Sequence, residues 1–263
     1  MLIVKAPIIN GLGKTEGCKK APDKILETLK EIYSNENGKI IEGEKIKIND
    51  VNIDRDNLEE SYANLSKKAK EVFSANDSAV FLGGDHSITF PIVNEFAKKF
   101  NRPGVIIFDA HADCMHDFKP ATHEDLLRAL ISSGFPVANI ILVGLRSVYA
   151  DEKEFLQKHK INTFSMKELF DNLRKSCDLI MENARKFENV YVSIDIDVID
   201  PAFAPGTGYA EPAGLTSREF LYLIQRLKRL NNLKAFDIVE INPEKDVNGM
   251  TVKLGAKILG ELI

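Results

Sequence analysis

Three short segments of this chain put ionisable side chains where metal chemistry would need them. In FDAHAD (108–113), Asp109, His111 and Asp113 fall at i, i+2 and i+4, so in extended backbone all three face one side. The apolar VIIF run before them suits a buried strand, and three ionisable groups at its end are costly unless a divalent cation compensates them. In SIDIDVIDPAFAPGTG (193–208), Asp195 and Asp197 repeat the i, i+2 device. Ile194, Ile196 and Val198 around them argue against an Asp-rich calcium loop, and Asp200 shapes the turn into Pro201. In LGGDHS (82–87), two glycines let the chain turn off a strand and present His86, with Asp85 placed to cap the next helix or orient the imidazole.

These segments together offer two imidazoles, His86 and His111, and four carboxylates, Asp109, Asp113, Asp195 and Asp197. Four negative charges balance two divalent cations, whereas one cation would leave half of them uncompensated. Oxygen-rich ligands with a minority of imidazole suit Mn²⁺ better than Zn²⁺, although Ni²⁺, Co²⁺ or Fe²⁺ could occupy such a site. Two metals a few ångströms apart would ionise a water near neutral pH, so the implied chemistry is metal-assisted hydrolysis with no Ser or Cys nucleophile.

The elements that must position these groups are legible as alternation. Apolar runs at 2–9, 78–82, 104–108, 140–144, 190–194 and 233–239 read as strands, several of them apolar throughout, as in a parallel sheet buried on both faces. Helix-spaced apolar positions lie between them, such as Ile25, Leu26, Leu29 and Ile32, or Leu221, Ile224, Leu227 and Leu230. The expectation is a single three-layer αβα domain over 1–263 with a mainly parallel sheet, whose ligands sit beyond the carboxyl ends of the strands. The stretch 39–57 reads either as an edge strand or as a strand with long loops, and 250–263 reads as one amphipathic helix closing on the sheet.

Composition excludes several partners. With 35 basic and 39 acidic residues intermixed over 263, no basic stripe suits a nucleic-acid backbone. The apolar N-terminal run is too short for a signal peptide or a membrane span. Cys18, Cys114 and Cys177 are scattered, odd in number and without CxxC, which fits a reducing cytoplasm. Gly13-Lys14-Thr15 after the first strand hints at a phosphate loop, but Ile8 stands where that loop needs glycine.

In order and separation, GGDHS, DAHAD and SIDIDVIDP resemble the three metal motifs of the ureohydrolases, the arginase and agmatinase family. The likeness extends through 17–22, VGLRS (143–147), GLTSRE (214–219) and FDIVEINP (236–243). It implies an arginase-like fold of roughly eight strands and an amidinohydrolase acting on linear amidines, with two Mn²⁺. By this resemblance Asp109 and Asp195 bridge the ions, His86 and Asp113 complete one, and His111 and Asp197 the other. Glu240 would pair with the guanidinium, which suits a bidentate carboxylate. His123 would pass a proton to the leaving amine, while Asp113 takes one from the attacking water. A small residue usually follows this histidine, whereas Glu124 does here, and His116 in the same loop competes for the role.

A short loop before His123, and Tyr149 following Gly144-Leu145-Arg146-Ser147-Val148, resemble the agmatinase branch more than arginase. The expected reaction is agmatine to putrescine and urea, in polyamine biosynthesis. Alternatives are arginine, guanidinobutyrate, aminopropylagmatine or guanidine as substrate, or a non-catalytic metal-binding relative. Glu152 is a candidate seat for a substrate amino group, and His159, in a charged helical stretch, reads as surface. A zinc deacetylase of the same fold would need a paired-histidine motif that is absent. The resemblance also implies a homo-oligomer, a trimer or hexamer.

Overall fold

The computed structural model describes residues 2–11, 13–43, 46–54, 56–75 and 78–263. Its eight strands are β1 (Leu2–Ala6), β2 (Lys47–Asp50), β3 (Ala79–Gly83), β4 (Pro103–Phe108), β5 (Ile140–Leu145), β6 (Asn162–Ser165), β7 (Asn189–Asp195) and β8 (Leu233–Val239). They form one sheet in the order β2-β1-β3-β8-β7-β4-β5-β6, parallel at every pairing. The six apolar runs all become strands, and β1 ends short of residue 9 because Pro7 has no N–H for the ladder.

The two strands not singled out as apolar runs are the edges. All four residues of β2 are exposed, so it carries no buried hydrophobic signature. It resolves the open reading of 39–57 in favour of an edge strand, with Glu44, Lys45 and Arg55 of that stretch outside the described residues. β6 buries only Phe164 among its four residues.

Helices cover both faces. One apolar layer joins Ile3, Val80, Leu82, Ile106 and Phe108 to α1 (Ala21–Leu29), α7 (Leu173–Ala184), α8 (Ser217–Leu227) and α9 (Met250–Leu262). The alternate residues Val4, Phe81, Val105 and Ile107 face the other layer, where α2 (Leu58–Ala75), α3 (Thr89–Lys99), α4 (Leu126–Ser132) and α5 (Ala150–His159) pack. A short α6 (Met166–Asp171) leads into α7. This is the three-layer α/β architecture expected, with α9 closing on α1 and α8.

Topology decides where chemistry can happen. The chain lays down β3 and β4 with a gap between them, then returns late to fill it with β7 and β8. The carboxyl ends of β3, β8, β7 and β4 therefore stand side by side in mid-sheet. Register aligns them: Phe108 is paired with Ile194, and Asp195 with Val239. Asp109, Asp195 and Glu240 thus emerge from neighbouring strands at one level.

The exit from β3 is crowded. A Cβ on Gly84 would lie 2.1 Å from the Ile8 carbonyl oxygen, a backbone atom that cannot swing aside. Gly84→Ala is predicted to destabilise the fold by about 1–3 kcal/mol through overpacking, read as a lower midpoint in urea unfolding. An unchanged midpoint would show that the backbones can separate at no cost.

Candidate metal centre

Each turn at these strand ends is built by its own side chains. After β3, Asp85 accepts from Ser87 N at 3.2 Å, from Asn10 N at 2.6 Å and from Thr15 Oγ1 at 3.3 Å. That caps the short turn beginning at His86 and ties the loop after β1 to the β3 exit, which is the capping alternative of the two roles expected for Asp85. After β4, His111 N donates to Asp109 Oδ1 at 2.6 Å and Ala110 N to Asp197 Oδ1 at 3.0 Å. After β7, Asp197 N donates to Asp195 Oδ1 at 2.8 Å. At Asp109, Asp195 and Asp197 one carboxylate oxygen holds backbone and the other points inward, whereas Asp85 uses both of its oxygens on the turn and the loop after β1. Asp113 and Glu240 adopt left-handed backbone, φ 47° and 63°, a strain that non-glycine residues tolerate mainly where function requires it.

The inward atoms meet. His86 Nδ1 lies 3.0 Å from Asp109 Oδ2, 3.0 Å from Asp113 Oδ2 and 3.3 Å from Asp195 Oδ2. His111 Nδ1 lies 2.8 Å from Asp197 Oδ2 and 3.6 Å from Asp109 Oδ1. Two groups could each hold an ion, His86 with Asp109 and Asp195, and Asp109 with His111 and Asp197. Asp109 belongs to both, while Asp195 falls with the first group alone.

Among the described residues, buried His86 Nδ1 and Asp109 Oδ2 have no hydrogen-bond partner despite lying 3.0 Å apart. Polar atoms so buried are ordinarily satisfied, and a shared cation would satisfy both. Electrostatics agree. Burial, then the Asp109 charge, pushes Asp113 up to about 7; burial and Asp197 push Asp195 well up, and burial and Asp109 raise Asp197. Burial opposes charge on His86 and His111, yet the surrounding carboxylates raise both well above the ordinary imidazole value. Burial would raise Asp109 too, but His111 and His86 outweigh it and hold this carboxyl below its usual range. The cluster demands positive charge, and its mixed oxygen and nitrogen donors fit two divalent cations.

His86 is held from behind. Its Nε2 lies 2.9 Å from Ser193 Oγ, which donates to Asp237 Oδ1 at 2.7 Å. Tyr191 OH and Thr89 Oγ1 both donate to Asp237 Oδ2 at 2.8 Å. Nδ1 is thereby aimed at the carboxylates. Asp237 was detectable in sequence as an acid inside the apolar AFDIV strand; its partners were not.

A cavity of about 40 Å³ opens over the cluster, lined by His111, Asp113, His123, Glu124, Asp195, Asp197, Thr207, Tyr209 and Glu240. Glu240 Oε1 accepts from His86 N at 2.9 Å and lies 3.3 Å from His123 Nδ1. The Tyr209 ring packs 5.3 Å from that of His123 and carries Lys14 Nζ on its face at 4.5 Å. Of the competing histidines, His123 is buried in the cavity wall, whereas His116 is 45% exposed and stacks on Phe118. Thr207 and Tyr209 were missed in sequence because nothing in the loop 204–211 distinguishes them from turn residues.

Glu152 is not gathered with the rest. Its Oε1 accepts from Cys114 N at 3.2 Å and its Oε2 from Tyr149 N at 3.0 Å, capping α5. With both oxygens engaged and the residue buried, it seats no substrate amine, and the expectation for it is corrected to a structural one.

A family model described as the arginase family matches residues 1–263. The mitochondrial arginase of Medicago truncatula is 36% identical over 188 residues, covering 69% of this chain. The chain spans about half the length of that relative, 53% of it. The structure of proclavaminate amidino hydrolase from Streptomyces clavuligerus superposes with a TM-score of 0.90 at 28% identity, covering 99% of this chain and 89% of that one. Agmatine ureohydrolase of Thermoplasma volcanium gives 0.87 at 29% identity, covering 99% and 87%. The match runs over the strands that deliver the paired His and Asp groups, and by it this chain belongs to the arginase family.

Proposed function

We propose that the chain, as one catalytic domain, hydrolyses a guanidino compound to urea with two divalent cations, manganese by preference. The observation that carries this is the pair of His and Asp groups sharing Asp109, with unpartnered Nδ1 and Oδ2 atoms facing one another, opposite Glu240. His86, Asp113, Asp109 and Asp195 would hold one cation, and His111 and Asp197, with the shared carboxylates, the other. When bound, the pair supplies Lewis acidity that lets a water lose its proton near neutral pH.

The remaining work falls to this chain's own residues. Glu240, already oriented by His86 N, presents a carboxylate to the planar guanidinium. Asp113 Oδ2 stands beside the cluster to accept the proton that the attacking water gives up. His123 Nε2, buried in the cavity wall without a hydrogen-bond partner, is placed to deliver a proton to the departing amine, while its Nδ1 is kept by Glu240. The tetrahedral carbon then releases the amine and urea, with atoms balanced by one water.

Agmatine, giving putrescine, is the substrate the sequence favours, and the likeness to a protein named agmatine ureohydrolase supports it. Arginine is the second reading, favoured by relatives named arginase. Among the described residues no helix is long and apolar enough to cross a membrane, and all three cysteines are free and buried. The free thiols fit the reducing cytoplasm expected from the sequence, whereas a homo-oligomer and a place in polyamine biosynthesis rest on the family resemblance alone.

Urea release by the Mn²⁺-loaded protein is expected from agmatine in a panel with arginine, guanidinobutyrate, aminopropylagmatine and guanidine. Asp113→Asn should lower it by roughly a hundredfold to ten-thousandfold, the range for a lost proton acceptor. Two bound metals with no urea from any compound would sink the hydrolytic reading. Ser193→Ala should weaken metal binding about tenfold to a hundredfold by freeing the far side of His86. Metal titration followed by calorimetry checks this, and an unaltered affinity would show that Ser193 does not orient the ring.

A further inference from the structure

One carboxylate in the cavity wall has no part in that scheme. Glu124 follows His123 directly, where the resemblance makes a small residue usual. The cavity runs from fully buried groups, Asp195, Asp197, Thr207 and Glu240, outward to half-buried Tyr209 and Glu124. Glu124 is 29% exposed and therefore stands at the open end.

Its backbone is fixed while its side chain is not. Glu124 O accepts from Met115 N at 3.2 Å and Glu124 N donates to Thr122 Oγ1 at 3.3 Å. Asp125 locks the same turn by accepting from Thr122 Oγ1 at 2.7 Å and His116 N at 3.1 Å. The Glu124 carboxylate, by contrast, makes no ion pair with a Lys or Arg among the described residues. The nearest basic side-chain nitrogens to it are His116 Nε2 and His123 Nε2, each at 4.0 Å, beyond hydrogen-bond length. His123 Nε2 is itself buried and without a hydrogen-bond partner among the described residues, and it faces Glu124 Oε1 across 4.0 Å.

Charge around the opening points one way. Glu211 approaches His111 Nε2 at 3.7 Å, adding a second acid beside a lining residue. The opposing charge is Lys14, which is exposed and held 4.5 Å over the Tyr209 ring rather than lining the cavity.

We propose that Glu124 receives the positively charged far end of the substrate, so that this site selects guanidino compounds bearing a second amine over those ending in a carboxylate. The assignment rests on the hydrolytic reading for the guanidinium end, but concerns a different residue and a different part of the ligand. A carboxylate that is half-buried, positioned by its backbone and short of a partner binds an ammonium more strongly than a fully solvated one does.

Two experiments separate this from the hydrolytic reading. The first is calorimetric titration of the Mn²⁺-loaded protein with putrescine and with 4-aminobutyrate, neither of which can be hydrolysed. The second is urea release from agmatine and from 4-guanidinobutyrate. Putrescine should bind about tenfold more tightly than 4-aminobutyrate. Glu124→Gln should bring the two within about twofold, Glu124→Asp should keep most of the preference, and Glu124→Lys should reverse it. The agmatine to guanidinobutyrate ratio of kcat/KM should move in step. A binding preference unchanged in Glu124→Gln, a wild-type preference for 4-aminobutyrate, or no binding of either would overturn the assignment, the second outcome pointing to Lys14 instead. Binding that follows the Glu124 charge without any urea release would leave Glu124 as the amine seat and remove the hydrolytic reading alone.

Discussion

Like charge packed into a dry cleft is the constraint around which this molecule is arranged. Asp109, Asp113, Asp195 and Asp197 are all buried and their inward oxygens converge on two imidazole nitrogens. Four unpaired carboxylates at such depth would cost far more than a domain's net stability of about 5–15 kcal/mol, so compensation has to be built into the site. The histidines supply part of it and the implied cations the rest. A parallel sheet helps because the ends of adjacent strands are only about 5 Å apart, close enough for acids on different strands to share one ion.

The same constraint explains the local backbone. Asp109 and Asp195 each spend one oxygen on a main-chain N–H, of His111 and of Asp197, and turn the other inward. Charge is thus partly stabilised before any cation binds, and the donor direction is fixed. Asp113 and Glu240 sit in left-handed backbone with no glycine freedom, a cost of order 1–3 kcal/mol each that persists only because the surrounding structure leaves no alternative. Behind His86, the Ser193 and Asp237 pair holds the ring from the far side and so directs Nδ1 at the carboxylates.

Much of this was legible in the sequence because the six apolar runs located the strands that matter and the acids follow two of them directly. The period of a strand did not place those acids: β4 ends at Phe108, Asp113 is left-handed, and Asp197 lies in a 3₁₀ turn at Ile196–Val198, so the side chains converge through turns rather than along one strand face. The edge strands β2 and β6 were harder, since an edge exposes its residues and loses the hydrophobic contrast that marks a strand. Glu152 misled for a different reason. Its carboxylate is captured by the N–H groups of Tyr149 and Cys114, and such a cap is decided by backbone geometry that residue types do not report. Tyr209 and Thr207 were invisible because they lie in the loop 204–211, only a short way beyond β7, where nothing in the residue types separates a cavity-lining side chain from a turn residue.

Glu240 joins the two halves of the site. Its Oε1 takes the His86 N–H at 2.9 Å and faces His123 Nδ1 at 3.3 Å, so a single oxygen is shared between a residue of the cation cluster and a residue of the substrate wall. Burial raises the worth of both contacts, and neither histidine can shift without disturbing the carboxylate. Glu240 is therefore set by the same strand ends that set the paired His and Asp groups. Precision comes from the sheet, whereas the opening is formed by loop residues, Glu124 and Tyr209. That division lets the charge at the mouth, set here by Glu124, vary without disturbing the strand-end geometry of the His and Asp groups.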